Sequence, residues 1–122
     1  MKIKSNLQFQ TYNDGLCAIY SVENIASPGN MPKQGLVSKF EKVPYEKRTV
    51  GVNRYYIAKQ ADVKIESLIR VPYFYNISSQ DICMIGGIQY AIEQVQEVLD
   101  SMPESKDISL RKVEEVYELT GI

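Results

Sequence analysis

Histidine and tryptophan are absent from this chain of 122 residues, and cysteine occurs only twice. Without histidine, the chain lacks the usual general base near neutral pH and the commonest zinc ligand. Cys17 and Cys83 have neither Cys-x-x-Cys spacing nor an imidazole that could activate a thiol nucleophile. We therefore expect two free thiols, as in a reducing cytosol, with a single disulfide between them as the alternative.

Long hydrophobic runs and phosphate-binding loops are also missing. Met1 to Tyr12 has no apolar stretch of the signal-peptide kind, and no later run is long enough to span a membrane. Gly86-Gly87 has neither the Lys-Ser pair nor the helix start of a phosphate-binding loop. Glu114 and Glu115 indicate a solvated acidic surface, because the loop-held oxygen ligands that hard cations need are missing. We predict no enzyme activity, no catalytic or metal-binding residues, no cofactor, no small-molecule substrate and no membrane contact.

The composition is that of an ordinary globular domain, with 44% hydrophobic residues, 24% charged residues and a net charge of −1. Nine tyrosines favour strands and half-hydrated surfaces, because the ring packs while the hydroxyl stays in water. The length predicts one domain over residues 1–122. We predict a mainly β fold, a small antiparallel β-barrel or sandwich with a long loop and at most one or two short helices.

The most regular stretch runs from Val63 to Val98 and predicts three antiparallel strands in succession. The first alternates in polarity and ends at Pro72, because proline cannot donate to a sheet ladder. The next two form a hairpin closed at Gly86-Gly87, since both glycines can adopt the positive φ of a two-residue primed turn. The expected cross-strand pairs are Ile85 with Ile88 and Cys83 with Tyr90.

The segments before this stretch predict a hairpin followed by a long loop. Lys2 to Tyr12 and Leu16 to Ile25 are expected to pair around the turn Asn13-Asp14-Gly15. The span 26–50 is interrupted by three prolines and predicts a long, mobile loop with at most a short strand or helical turn. Loops of that length in compact domains are usually functional or disordered.

The remaining segments are less regular. Residues 53–61 predict an extended or one-turn-helix connector. Asp100 to Asp107 predicts a loop, because it contains a proline and two serines. A terminal strand is expected from Ile108, and a helical ending is the alternative because apolar residues also recur there at helical spacing.

Charge is segregated along the sequence. Residues 33–70 contain nine Lys or Arg and four Asp or Glu, whereas residues 81–122 contain three Lys or Arg and nine Asp or Glu. The local net charges are therefore +5 and −6. Three interpretations stay open: a solvated surface, a protomer that binds the next copy head to tail, or a basic part that contacts nucleic acid.

Cations and aromatic rings also alternate in the middle of the chain. Such mixtures bind single-stranded nucleic acids, form protein interfaces, or simply pack within a barrel. The residues in question are Arg48, Arg54, Tyr55, Tyr56, Lys59, Arg70, Tyr73, Phe74 and Tyr75.

Five segments in the last two thirds of the chain follow one another in a defined order. They are Arg48–Ala61 (RTVGVNRYYIAKQA), Ile65–Pro72 (IESLIRVP), Ile77–Ile82 (ISSQDI), Gly87–Gln96 (GIQYAIEQVQ) and Ile108–Glu115 (ISLRKVEE). This order resembles the small head-tail joining proteins of long-tailed phages and prophages, also called head closure, stopper or connector proteins. In that family an aromatic-Ala-x-Gln-Ala segment precedes a strand ending in Ile-Arg, and a Gly-x-x-Tyr-x-Ile strand and a final strand follow.

The resemblance implies a virion structural protein at the head-tail junction, made in the cytoplasm of the bacterial host. Copies form an oligomeric ring below the portal, close the DNA-filled head and accept the tail. The implied partners are the portal or adaptor ring, tail proteins and other copies, and contact of the basic 33–70 segment with packaged DNA is left open. The expected interface residues are Lys39, Lys42, Lys47, Arg48, Arg54, Tyr55, Tyr56, Lys59, Glu114 and Glu115.

Two other functions are compatible with the residues. The first is a single-strand nucleic-acid-binding β-barrel module, which the cation and aromatic pattern favours. The second is a regulatory or scaffolding domain with a host partner.

Overall fold

A computed structural model of the chain describes residues 8–49 and 67–119. These residues form strands and no helix, so the predicted mainly β fold class is confirmed. The strands are β1 (Gln8–Phe9), β2 (Gly15–Asn24), β3 (Gln34–Arg48), β4 (Ser67–Pro72), β5 (Ile82–Ile85), β6 (Ile88–Val98), β7 (Ser101–Met102), β8 (Ser105–Lys112) and β9 (Glu118–Leu119).

Six of the strands form a partly closed ring in the order β2-β5-β6-β8-β4-β3, because β3 also pairs with β2. Every pair around this ring is antiparallel. Two further pairings are parallel. β9 lies along the start of β3, and β1 pairs with β7 in a separate two-stranded sheet. The ring is consistent with a small β-barrel, an architecture that leaves few strand edges unpaired.

The core fills the inside of this ring with branched aliphatic side chains. Each strand presents alternate residues inward, as Ile69 and Val71 do on β4 and Ile108 and Leu110 on β8. Burying one such side chain contributes about 1.5–3 kcal/mol to folding. Among the described residues, the contiguous core cluster consists of Cys17, Ile19, Val43, Tyr45, Ile69, Val71, Ile77, Cys83, Ile92, Ile108 and Leu110.

The predicted hairpin at Gly86-Gly87 is confirmed. Gly86 has φ of 58° and Gly87 has φ of 80°, the left-handed values that a two-residue primed turn requires. The expected pairs also form, Ile85 with Ile88 and Cys83 with Tyr90. The Tyr90 ring packs against the core, and Cys83 is buried within it.

The long loop expected over residues 26–50 is wrong for most of its length. Gln34–Arg48 is β3, a strand of 15 residues, and only residues 25–33 connect it to β2. Two register shifts in the β2–β3 ladder break the period-two pattern that marks a strand in sequence. Pro44 is tolerated because it pairs with Leu16 on one side, whereas β4 pairs with β3 only at Glu46–Arg48.

The hairpin expected between Lys2–Tyr12 and Leu16–Ile25 is also wrong in the described residues. β1 pairs in parallel with β7, not with β2. The reason is that β3 pairs along the whole of β2, while β5 takes the other edge at Ala18–Tyr20. The turn at Asn13-Asp14-Gly15 therefore leads into a strand that is already paired with β3 on one edge and with β5 in the middle of the other.

Strand predictions in the second half stand with altered bounds. β4 ends at Pro72 as expected, and the predicted residues 63–66 and the connector 53–61 lie outside the described residues. The loop expected over Asp100–Asp107 is shorter, because β7 occupies Ser101–Met102 and β8 begins at Ser105. The terminal strand is thus confirmed in type, and the helical alternative for it is wrong.

Candidate interaction surface

The interface residues predicted on β3 differ in what they contact. Lys39 is not free to bind a partner, since its Nζ lies 2.8 Å from Oδ2 of the buried Asp81. The same carboxylate oxygen accepts a hydrogen bond from the Ser78 backbone N–H. Lys39 therefore fixes the β4–β5 connection against β3, and the bond belongs to the fold.

The other predicted interface residues on the described chain are exposed. Lys42 and Lys47 lie on the surface of β3, and the exposed Arg48 pairs with Glu46 at 2.8 Å. Glu114 and Glu115 are exposed on the segment between β8 and β9. The structure does not bring these two groups together in one copy, because β9 lies at the start of β3 and Arg48 ends it. Arg54, Tyr55, Tyr56 and Lys59 lie outside the described residues.

Several members of the cation and aromatic set have internal contacts. The Lys106 ammonium lies 5.2 Å from the centre of the Tyr73 ring. Tyr75 packs edge-on against Phe40, with ring centres 5.1 Å apart. Phe74 is exposed, whereas Arg70 is buried. Most of the described members thus do not form the open stacking surface that a single-strand nucleic-acid binder needs.

Arg70 instead belongs to a buried ion pair that sequence reasoning missed. Its Nε lies 2.7 Å from Asp107 Oδ1, and its Nη2 lies 3.0 Å from Oδ2 of the same carboxylate. The two residues are only 7% and 9% exposed. They are cross-strand partners on β4 and β8, and the hydrogen bond to Asp107 raises the pKa of Arg70 against the opposing effect of burial. The stability of such a buried ion pair depends strongly on its geometry, because either partner without the other would be an uncompensated buried charge.

The chain preceding β2 lies against this pair. We call residues Gln8–Tyr12 the strap. Gln10 Oε1 accepts a hydrogen bond from Arg70 Nη1 at 3.0 Å, and Gln10 Nε2 donates to Glu46 Oε2 at 2.8 Å. The Gln10 backbone N–H donates to the Met102 carbonyl at 2.8 Å, and the Tyr12 hydroxyl lies 2.7 Å from Ser105 Oγ. The strap thus connects three strands of the ring without joining their sheet.

We call the groups that receive the strap its seat, and they lie on the outer side of the ring. Ile69, Val71 and Ile108 face the core, so alternation turns Arg70 and Asp107 outward. Both are nevertheless buried, and so is Ser105. The residues of the seat that bind the strap directly are Glu46, Arg70, Met102 and Ser105.

An exposed apolar patch adjoins the strap. Phe9 and Met102 are partners in the β1–β7 ladder and are 83% and 51% exposed. Leu99, three residues before Met102, is 58% exposed. Exposed large apolar side chains that lie side by side, as Phe9 and Met102 do, are typical of surfaces that bind another molecule. The sequence predicts a strand through Phe9, but it does not indicate that this strand pairs with Met102, which lies in a segment predicted as a loop.

The segment after β8 is fixed by one buried amide. Gln89 Nε2 donates to the Tyr117 carbonyl and Gln89 Oε1 accepts from the Tyr117 N–H, each at 2.9 Å. An ion pair between Lys33 and Glu118 joins the same segment to the start of β3. A shallow groove of about 400 Å³ lies here, lined by Lys33, Gln34, Glu115, Val116, Tyr117 and Glu118.

The described residues show no grouping typical of metal or thiol chemistry. No cluster of three or more His, Cys, Asp or Glu side chains occurs among them. Cys17 and Cys83 are free and buried, and a hydrogen bond with Cys17 together with burial raises the pKa of the Cys83 thiol. That thiol therefore stays protonated and is a poor nucleophile. No helix in residues 8–49 or 67–119 has the length and hydropathy of a membrane span.

No protein-family model matches this chain, and no curated protein matches its sequence.

Proposed function

We propose that this protein is a structural component of a phage virion, which forms a ring below the portal, closes the DNA-filled head and accepts the tail. Two observations support this function: the order of the motifs in the sequence and their positions in the fold. Its chemistry is docking to copies and neighbours, with no bond made or broken.

The observation that carries the proposal is where the motifs lie. Ile69-Arg70 falls on β4, the segment from Gly87 runs into β6, and the segment from Ile108 falls on β8. These three strands are consecutive in the ring, with β8 paired to both of the others. The resemblance implies a small β-barrel that contains these motifs, and their place on three neighbouring strands supports it.

The surface is compatible with a docking role. The ring leaves few free strand edges, so contacts with partners depend on side chains and on the appended strands β1, β7 and β9. The exposed side chains of Phe9, Leu99 and Met102 supply apolar contact area. The exposed charges of Lys42, Lys47, Glu114 and Glu115 supply polar groups of the kind found at interface rims.

Binding to portal-bearing heads that lack tails tests the proposal. The purified protein should co-sediment with such heads and increase the fraction that retain DNA after dilution. Complete virions provide the matched control, because their portal vertex is already covered and should bind little added protein. Equal binding to both particles, or no binding to either, would count against the connector role.

The nucleic-acid alternative is less well supported, because several of the described residues that favoured it have internal partners. Arg70 is committed to Asp107, Tyr73 to Lys106 and Tyr75 to Phe40. A salt titration separates the two functions, since affinity for single strands that depends on phosphate contacts falls steeply as salt rises. We expect weak binding with a shallow salt dependence.

A further inference from the structure

The strap is bound to the barrel in a way that allows a second copy to supply it. Its ladder with β7 covers two residue pairs, and neither β1 nor β7 belongs to the seven-stranded sheet. Its other contacts are hydrogen bonds from Gln10 and Tyr12 to groups of the seat. Its largest apolar side chain, Phe9, is exposed and adds little to the attachment. Segments with few buried apolar contacts are the ones that open most readily.

The seat is specific for this chain's own strap. Arg70 uses Nε and Nη2 for Asp107 and Nη1 for the Gln10 side-chain oxygen. Glu46 accepts the Gln10 amide N–H. One amide therefore satisfies a buried cation and a carboxylate at once, and a residue with a single charge cannot do both.

We propose that strap and seat form an interface between copies of this chain, with the strap of one copy bound in the seat of the next. Every hydrogen bond of the strap then forms unchanged, because the seat does not depend on which copy provides Gln10 and Tyr12. In the exchanged arrangement Phe9 of one copy lies beside Met102 of the next, as the two lie side by side within one copy. This exchange concerns only contacts between copies and does not require the portal.

The exposed Asn13 is the hinge of this exchange. It separates Tyr12, which binds Ser105, from Asp14, whose carboxylate accepts the Lys47 N–H at 2.7 Å. In a dilute solution the strap binds its own seat, because a short connection gives a high effective concentration. Binding of a strap to another copy's seat becomes as frequent as binding to its own seat when the protein reaches about 1 mM or when copies are held together in an assembly. At about 10 µM, binding to another copy is about 100-fold rarer than binding to the strap's own seat.

Disulfide trapping tests the exchange. Phe9→Cys and Met102→Cys replace two exposed ladder partners, and the native Cys17 and Cys83 are buried. The two single variants are mixed, equilibrated and oxidised with oxidised glutathione, so that two thiols form one disulfide and two reduced glutathione molecules are released. A 9–102 disulfide in this mixture can only join two chains. We expect its fraction to increase about 50-fold between about 10 µM and about 1 mM protein.

A collision control and a hinge variant complete the experiment. Ser27→Cys lies on the exposed β2–β3 connection and is mixed with Met102→Cys in place of the Phe9→Cys variant. Deletion of Asn13 keeps the strap from its own seat and should raise the yield of the 9–102 disulfide between chains at low concentration. A 9–102 yield no higher than the Ser27 control at every concentration would overturn the proposal. So would an Asn13 deletion that melts cooperatively and gives no increase in that yield.

Discussion

Replacing Asp107 with alanine should destabilise the barrel strongly, although it removes only one carboxylate group. Asp107 holds two nitrogens of the Arg70 guanidinium at 2.7 and 3.0 Å, and the two side chains are 12% and 8% exposed. Without the carboxylate, Arg70 loses both hydrogen bonds to its counter-ion and keeps the one to the Gln10 side-chain oxygen, so a buried cation loses its direct partner. Loss of one partner from a buried pair costs about 3–5 kcal/mol. That is a large part of the 5–15 kcal/mol by which domains are usually stable.

The expected loss of stability comes from the unpaired Arg70 charge. A double variant separates this contribution from that of lost packing. Arg70→Met combined with Asp107→Leu removes both charges and keeps apolar volume, a replacement that is often neutral or stabilising. We expect the double variant to be more stable than Asp107→Ala by about 2 kcal/mol or more. Urea unfolding followed by circular dichroism measures each free energy of unfolding, and an unchanged slope shows that the surface exposed on unfolding is the same.

A small loss would contradict this reasoning. If Asp107→Ala lowered the free energy of unfolding by less than about 1 kcal/mol, the pair would behave like a surface ion pair. The control is Glu93→Ala, because Glu93 pairs with Arg111 where both side chains are partly exposed, at 25% and 36%. Its expected cost is about 0.2–1 kcal/mol.

Three further predictions follow from other contacts. Gly87→Ala should lower the free energy of unfolding in urea by about 1–2 kcal/mol, because φ at this position is 80°. Gly87→Asn should lower it less, since asparagine tolerates positive φ better than alanine. Equal losses in the two variants would contradict the turn assignment. Gln89→Ala should speed amide hydrogen exchange at Tyr117, whereas Gln94→Ala on the exposed face of β6 should not. Since burial and Cys17 raise the pKa of Cys83 in the folded state, the unfolded chain loses this proton first as pH rises. Stability should therefore fall above about pH 8.5 by about 1.4 kcal/mol per pH unit for this group. Thermal melts between pH 7 and pH 9.5 should show this fall, and an equally steep fall in Cys83→Ala would exclude the thiol as its cause.

The parts of the fold that could be predicted are those in which local chemistry and tertiary structure agree. Gly86-Gly87 required positive φ at both positions, and the apolar residues on either side fixed the register of the hairpin. Pro72 ended β4 for the same kind of local reason. The fold class could be predicted because tyrosine and branched residues occur in short runs with turn residues between them.

The parts that could not be predicted depend on contacts between distant residues. β3 looked like a loop because its bulges break the alternation and Pro44 interrupts it, and only its pairing with β2 makes it a strand. Arg70 and Asp107 are 37 residues apart in the chain, and nothing in their neighbourhood marks them as a buried pair. Gln10 belongs to the same network through a side chain that is polar and ordinary in sequence.

The candidate site shows the same division. Exposure of Lys42, Lys47, Arg48, Glu114 and Glu115 agrees with what charged residues usually do, so their place on the surface was predictable. The lysine-rich segment around Lys39 predicts an interface loop, whereas the bond of Lys39 to Asp81 depends on the β4–β5 connection. The patch at Phe9 and Met102 requires the parallel pairing of β1 with β7, which no local signal announces.

Electron microscopy of the portal vertex tests the connector role most directly. Portal-bearing heads without tails would be imaged with and without the protein, and the vertex averaged about the portal axis. We expect a continuous ring of added density at the outer end of the portal, with the DNA retained inside the head. A bare portal at saturating protein, in heads that empty as fast as untreated ones, would contradict it.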